Sequence, residues 1–327
     1  MMIEMSARRV RNGVAAMGMA FVLGAGVAGL GAVAPAQAQM PPDIVAKIAA
    51  LGRVVDPENT AKIYAPLLEQ EPYAGIRLTR DVKYGASPRN VLDIFAADNA
   101  AAGHPVLMFV HGGGFVRGIK HAPGSPFYDN IMLFAARHGM IGFNVEYRLA
   151  PDATWPSGIE DLGAAIAFVR DNIASYGGDP NRVFLMGHSA GASHVAGYIS
   201  HPDFFGPKGP GIVGAILSSG SYQLNAEDIG RDQVAYYGSD ASLYAKRAPL
   251  TGIVKTSIPF MMSGAELDPP PIAAQFAMLK EAMCKSERGC MRSILLPHHS
   301  HMSESYSIDT ADRQLSDQIL DFISTGK

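Results

Sequence analysis

Short, nearly continuous apolar runs recur along this 327-residue chain, separated by stretches with helical spacing. A strand with one face in water alternates apolar and polar residues, so continuous runs predict strands buried on both faces of a sheet. Eight such runs stand at Ile76–Tyr84, Val91–Ala96, Val106–His111, Ile141–Glu146, Val183–Met186, Ile212–Leu217, Ile258–Met262 and Ser293–Leu296. Between two of them, Ile159, Leu162, Ile166, Val169 and Ile173 recur at helical spacing. Ser157 and Glu160 fit an S-x-x-E capping box at the start of that helix, and Gly177-Gly178 supply its stop. Leu315, Ile319, Phe322 and Ile323 mark a last helix. Strand, helix and strand in repetition predict an α/β fold, with a mostly parallel eight-stranded sheet flanked by helices on both faces.

One rhythm runs from residue 76 to 327, which reads as a single domain. The Pro-punctuated segment 39–75 before it is expected to contribute to a cap. Residues 219–257 are more polar and irregular and read as a small cap or lid over one end of the sheet. Apolar residues make up 48% of the chain, ample for one large core. Lys and Arg (27) nearly balance Asp and Glu (30) and form no block, which argues against a nucleic-acid footprint. No fixed-period repeat is present, so solenoids and propellers are excluded.

The chain begins with a targeting pattern. Arg8, Arg9 and Arg11 precede an uncharged stretch from Asn12 to Gln39, and Ala36-Gln37-Ala38 gives the small-x-small pattern a signal peptidase cuts. Residues 1–38 are therefore expected to be a cleaved signal peptide and the protein to be exported, periplasmic or secreted. The stretch is rich in Gly and Ala and makes a poor membrane anchor, so no stable membrane insertion is expected after cleavage. The only cysteines, Cys284 and Cys290, form a close even pair without a CxxC spacing, which in an exported chain predicts a disulfide. Oligomeric state is not encoded in any pattern of this kind.

Two motifs carry chemistry. Gly187-His188-Ser189-Ala190-Gly191 follows a predicted strand and opens a helical stretch, the context of a G-x-S-x-G nucleophile elbow that holds Ser189 out at a sharp turn. His111-Gly112-Gly113-Gly114-Phe115 ends another predicted strand. Its bare backbone N–H groups suit an oxyanion hole, in which Gly113 and Gly114 join the N–H of Ala190, with Gly112 as a substitute for one of them. Neither a Walker lysine nor a G-x-G-x-x-G spacing occurs within this glycine loop, so a phosphate cradle there is a poor reading. Phe115 is a candidate for lining the acyl pocket. His188, beside the nucleophile, is expected to be structural or pocket-lining.

HGGGF, then Tyr147-Arg148-Leu149-Ala150-Pro151, then GHSAG, in this order, resemble the α/β-hydrolase superfamily from about Tyr84 to the C-terminus. More narrowly, the chain is similar to HGGG-type esterases related to hormone-sensitive lipase and to kynurenine-formamidase-like carboxylesterases. His188 stands where the hormone-sensitive-lipase type usually carries Asp, which leans the match toward the formamidase-like branch. The resemblance implies a nucleophile, an acid and a histidine in that chain order. Asp268, before Pro269, matches the family's acid better than Glu266. His301 is the favoured base, with His299 as runner-up in the crowded run His298, His299, His301. Those histidines lack a carboxylate-rich partner set, so no metal site is expected.

The function implied is hydrolysis of small to medium acyl esters through an acyl-enzyme, with a small-molecule ester as partner and no cofactor. Arylformamidase-like amide cleavage or a narrow peptidase activity on the same triad is the alternative, and a non-catalytic exported binding protein the remote one. Two residues get structural readings. Arg148 is expected to pair with Asp161, and Trp155 to pack against the first cap segment.

Overall fold

A computed structural model describes residues 39–99 and 102–326. The expected signal peptide lies outside these residues. Eight strands form one sheet: β1 (Ile76–Lys83), β2 (Val91–Ala97), β3 (His104–Val110), β4 (Ile141–Val145), β5 (Gly178–His188), β6 (Gly214–Ser218), β7 (Phe260–Leu267) and β8 (Ser293–Ser300). Their spatial order is β1-β2-β4-β3-β5-β6-β7-β8. β2 runs antiparallel to both β1 and β4, and every other neighbouring pair is parallel.

The continuous runs are apolar because both faces of the sheet are covered. In β3, Val106, Met108 and Val110 enter one core while Leu107 and Phe109 enter the other. β5 divides in the same way, Val183 and Leu185 from Phe184 and Met186. Helices Ser157–Asn172 and Ala190–Ser200 cover the first face, and Asp129–Arg137 and Ser316–Thr325 the second. Ile159, Leu162, Ile166 and Val169 are all buried, as their spacing requires.

Three sequence expectations need adjustment. β5 begins at Gly178, well before Val183, because Gly178 pairs with His104 ahead of the apolar run. β7 and β8 extend past their apolar stretches to Leu267 and Ser300, which carries both strand ends toward the site. The capping box is absent. Pro156 occupies the N-cap, Ser157 falls inside the first turn, and neither side chain caps the helix. Glu160 pairs instead with Arg148, which also binds Asp161 at 2.8 Å.

Residues 39–75 form helices Pro42–Leu51 and Pro57–Tyr64. Ile44, Ile48 and Tyr64 pack with Phe127, Met302 and Tyr306. Residues 219–257 hold the helix Arg231–Tyr237 and shorter turns, and bury Tyr236 and Tyr237 against Phe115 and Ala190. Trp155 joins this group. Its backbone N–H donates to the Tyr236 carbonyl at 2.8 Å, and the Arg247 guanidinium lies 5.3 Å from its ring centre. Cys284 and Cys290 are disulfide-bonded at the end of helix Pro270–Lys285. Among the described residues no helix is long and apolar enough to cross a membrane.

Candidate active site

β5 ends at His188 and helix Ala190–Ser200 begins two residues later, leaving Ser189 alone at the turn. Its backbone sits at φ 57° and ψ −124°, a conformation that side chains disfavour. The turn closes only because the flanking residues have no side chains. A Cβ on Gly187 would lie 2.4 Å from the Gly191 carbonyl oxygen, and one on Gly191 would lie 2.1 Å from that of Val110. The Ser189 N–H donates to the Ser218 carbonyl at 2.8 Å, tying the elbow to the end of β6.

His301 Nε2 lies 2.9 Å from Ser189 Oγ, and His301 Nδ1 lies 2.8 Å from Asp268 Oδ1. Asp268 and His301 are 0% and 1% exposed. The second carboxylate oxygen, Asp268 Oδ2, accepts from the Ala265 N–H at 3.0 Å and the Ser219 hydroxyl at 2.7 Å. Burial by itself raises the Asp268 carboxyl. His301, Ser219 and Ala265 outweigh that effect and hold it below its usual range.

The competing residues face elsewhere. Glu266 accepts the His298 N–H at 2.6 Å, and both residues are exposed. His299 is buried, with Nε2 3.0 Å from Asp312 and Nδ1 3.1 Å from Ser303 Oγ. His188 is buried too, and its Nε2 donates to the His301 carbonyl at 2.8 Å. Burial, chiefly, pushes the His188 ring down to about 3, so it is a neutral brace for the His301 backbone.

Gly112, Gly113 and Gly114 line the same cavity as Ser189, Ala190 and His301. Ala190 opens its helix, so its N–H has no acceptor within the helix. Among the described residues no backbone acceptor takes the N–H of Gly113 or Gly114. The glycine loop is pinned by residues to which the sequence reading gave no role. Glu146 takes the Lys120 N–H at 2.8 Å at one end and lies 3.1 Å from His111 at the other, while the Tyr147 hydroxyl donates to the His111 carbonyl at 2.9 Å. A carboxylate closing a strand that reads as fully buried was the available signal for Glu146.

The BD-FAE family model matches residues 92–202, from β2 to just past the helix after the elbow. Esterase LipQ of Mycobacterium tuberculosis is 28% identical over 265 residues, which is 75% of this chain and 62% of LipQ. Isoprenylcysteine alpha-carbonyl methylesterase ICME of Arabidopsis thaliana is 39% identical over 120 residues, 37% of this chain and 27% of that protein. The chain thus spans less than two thirds of the length of either relative. Among solved structures, esterase B from Lactobacillus Rhamnosis superposes with a TM-score of 0.65 at 19% identity, over 86% of this chain and 94% of that one. A bacterial heroin esterase superposes with a TM-score of 0.64 at 23% identity, over 89% and 98%. The chain has the α/β-hydrolase fold.

The cavity at Ser189 has a volume of about 560 Å³. Val55 and Pro57 from the N-terminal segment line it, as do Asp232 and Gln233 from helix Arg231–Tyr237. Phe115 lines it as well, with its ring stacked on Tyr236 at 5.0 Å between centroids. It therefore ties residues 219–257 to the glycine loop. Arg53, also from the N-terminal segment, donates to the Asp268 carbonyl at 3.0 Å and braces the acid loop. The one metal-ligand-like cluster among the described residues is Glu71, His121 and Asp129, none of which lines this cavity. The Arg80 guanidinium already binds Glu71 at 2.9 Å and Asp129 at 2.5 Å there.

The glycine loop gives a direct test. A Cβ on Gly113 would meet the Arg117 carbonyl oxygen at 2.0 Å, at φ 129°. Gly113→Ala is therefore expected to displace the loop and lower kcat on a nitrophenyl ester by about 10²–10³-fold, the cost of losing an oxyanion donor. The melting temperature serves as the control for folding.

Proposed function

We propose that this chain is an exported carboxylic ester hydrolase acting on small to medium acyl esters. The observation that carries the reading is the unbroken chain of contacts from Ser189 Oγ through His301 to Asp268. In the proposed first step Ser189 Oγ attacks the ester carbonyl carbon while His301 Nε2 takes its proton. Asp268 holds Nδ1–H and balances the imidazolium. The oxyanion is stabilised by the N–H groups of Gly113, Gly114 and Ala190. The carbonyl re-forms, the alcohol leaves with the proton from His301, and water repeats the sequence on the acyl-enzyme.

Ester chemistry is favoured over amide chemistry by the names of the relatives, LipQ and ICME, both esterases. Export is favoured by the arginines ahead of Asn12 and by Ala36-Gln37-Ala38, with the Cys284–Cys290 bond in keeping with an oxidising compartment.

The test is hydrolysis of nitrophenyl acetate, butyrate and octanoate by protein beginning at Gln39, beside a formyl-anilide and an aminoacyl-anilide. Ester turnover with labelling by a fluorophosphonate is the expected result, with acetate and butyrate preferred to octanoate. Labelling with anilide but not ester turnover would replace the reading with an amidase. Absence of both labelling and turnover would mean a binding protein. N-terminal sequencing of protein from outside the cytoplasm is expected to begin at Gln39.

A further inference from the structure

Behind Asp268 lies a second buried carboxyl group that the proposed reaction does not use. Glu304, three residues past His301 in the short helix Ser303–Tyr306, is 0% exposed. Ser219 Oγ lies 2.5 Å from Glu304 Oε2 and 2.7 Å from Asp268 Oδ2, so one hydroxyl bridges two carboxyl groups. Glu304 Oε1 meets the Ser263 hydroxyl, which lies 3.0 Å from Ser218 Oγ. Ser219 holds this place with its backbone at φ 48°, in the left-handed region that costs a serine energy.

A count of protons fixes the direction of the chain. Ser219 has one hydroxyl proton and cannot donate it to two ionised carboxylates. With a proton on Glu304 Oε2 every contact is satisfied. Glu304 donates to Ser219, Ser219 to Asp268, Ser263 to Glu304 Oε1, and Ser218 to Ser263. Resting on the triad reading above, we propose that Glu304 is a positioning residue: as a neutral acid it orients Ser219 to hold Asp268, and loss of its proton at alkaline pH undoes that hold.

The surroundings agree. Burial first, and the Asp268 charge second, push the Glu304 carboxyl up to about 8. Tyr222 faces both carboxyl groups from the chain after β6, while His301 and His188 lie on the far side of Asp268. Tyr64 and Tyr128 meet the same short helix at Ser303 and Tyr306. The Arg53 guanidinium donates to the Asp268 backbone carbonyl and not to either carboxyl group. Ionised Glu304 takes the Ser219 proton from Asp268 and sets a second negative charge behind it. His301 then loses the fixed partner that orients it.

The test compares Glu304→Gln, Glu304→Ala and wild type in kcat/KM between about pH 5 and pH 10. Gln keeps a donor toward Ser219 and an acceptor toward Ser263 but cannot ionise. It is expected to retain activity at pH 7 within about threefold and to lose the alkaline limb that wild type shows near the Glu304 ionisation, while Ala loses about tenfold in kcat with KM little changed. An unchanged limb in the Gln variant, or equal damage from Gln and Ala, overturns the proposal.

Melting supplies a second readout. The folded chain keeps this proton to higher pH than the unfolded one, so stability falls as pH rises from about 4.5 to about 8. The Gln variant is expected to lack that part of the fall. If neither Glu304 variant folds, Ser219→Ala decides. With the bridging hydroxyl gone it is expected to lose about tenfold in kcat already at pH 7 and to show a shallower alkaline limb, and wild-type kcat at pH 7 with a wild-type limb overturns the proposal. Ser189→Ala in parallel reports on the triad alone, so failure of that reading is seen separately.

Discussion

Ser189→Ala and His301→Ala are each expected to leave a folded protein whose kcat on a nitrophenyl ester is lower by about 10⁵–10⁶-fold. The two side chains act as one unit. Without His301 the Ser189 hydroxyl keeps its proton and is a poor nucleophile at neutral pH, and without Ser189 the imidazole has nothing to activate. The double variant is therefore expected to be about as slow as either single one, since effects within such a unit do not add. Melting separates the two. Ser189 is a partly exposed side chain at a turn, so its truncation costs little. His301→Ala takes from the buried Asp268 Oδ1 the ring N–H that donates to it and is expected to cost about 1–3 kcal/mol. Fluorophosphonate labelling reads the same chemistry without turnover. It is expected to vanish in Ser189→Ala and to slow sharply in His301→Ala. Ester hydrolysis within tenfold of wild type in His301→Ala, with Ser189→Ala inert, would refute the base. His299 is a poor replacement, because Asp312 and Ser303 already occupy its two nitrogens.

How far the sequence carried depended on whether a residue's role was local. The β3 run Val106–Val110 was readable because each residue is buried whichever face it points to. The elbow and the glycine loop were readable because a sharp turn and a bare backbone need glycine at fixed offsets, visible within five residues. His301 and His299 were not separable in that way. They stand two apart, and only Asp312 and Ser189, far from each other in the chain, draw them to different partners. Glu304 was invisible for the same reason. Ser303-Glu304-Ser305 reads as a polar helix start, yet the sheet end and the N-terminal segment bury all three residues. The failed capping box shows the converse. Ser157 and Glu160 fit a local rule, but the pairing of Arg148 with Glu160 and Asp161 is made by the tertiary structure and prevails.

Asp268→Asn is the sharpest test of the acid, and its direction follows from hydrogen-bond donors rather than charge alone. Asp268 Oδ2 accepts from two donors, the Ala265 N–H and the Ser219 hydroxyl. An Asn amide nitrogen placed there would face both of them, so the amide oxygen takes that position and the NH₂ turns toward His301 Nδ1. A donor facing Nδ1 forces the imidazole proton onto Nε2, the nitrogen that must accept the proton of Ser189. The wrong tautomer is thereby the favoured one. The expected loss is about 10⁴-fold in kcat, with KM within a few-fold of wild type. Glu266→Gln, at an exposed residue that accepts from the His298 N–H, is expected to change kcat by less than about threefold. Nitrogen NMR of the histidine rings gives an independent reading, with the His301 proton moving from Nδ1 in wild type to Nε2 in Asp268→Asn. A variant that keeps the wild-type tautomer and loses less than about tenfold in kcat would place the acid elsewhere. The reverse pattern, an inert Glu266→Gln beside an active Asp268→Asn, would move the acid to Glu266 and require the loop after β7 to rearrange when substrate binds.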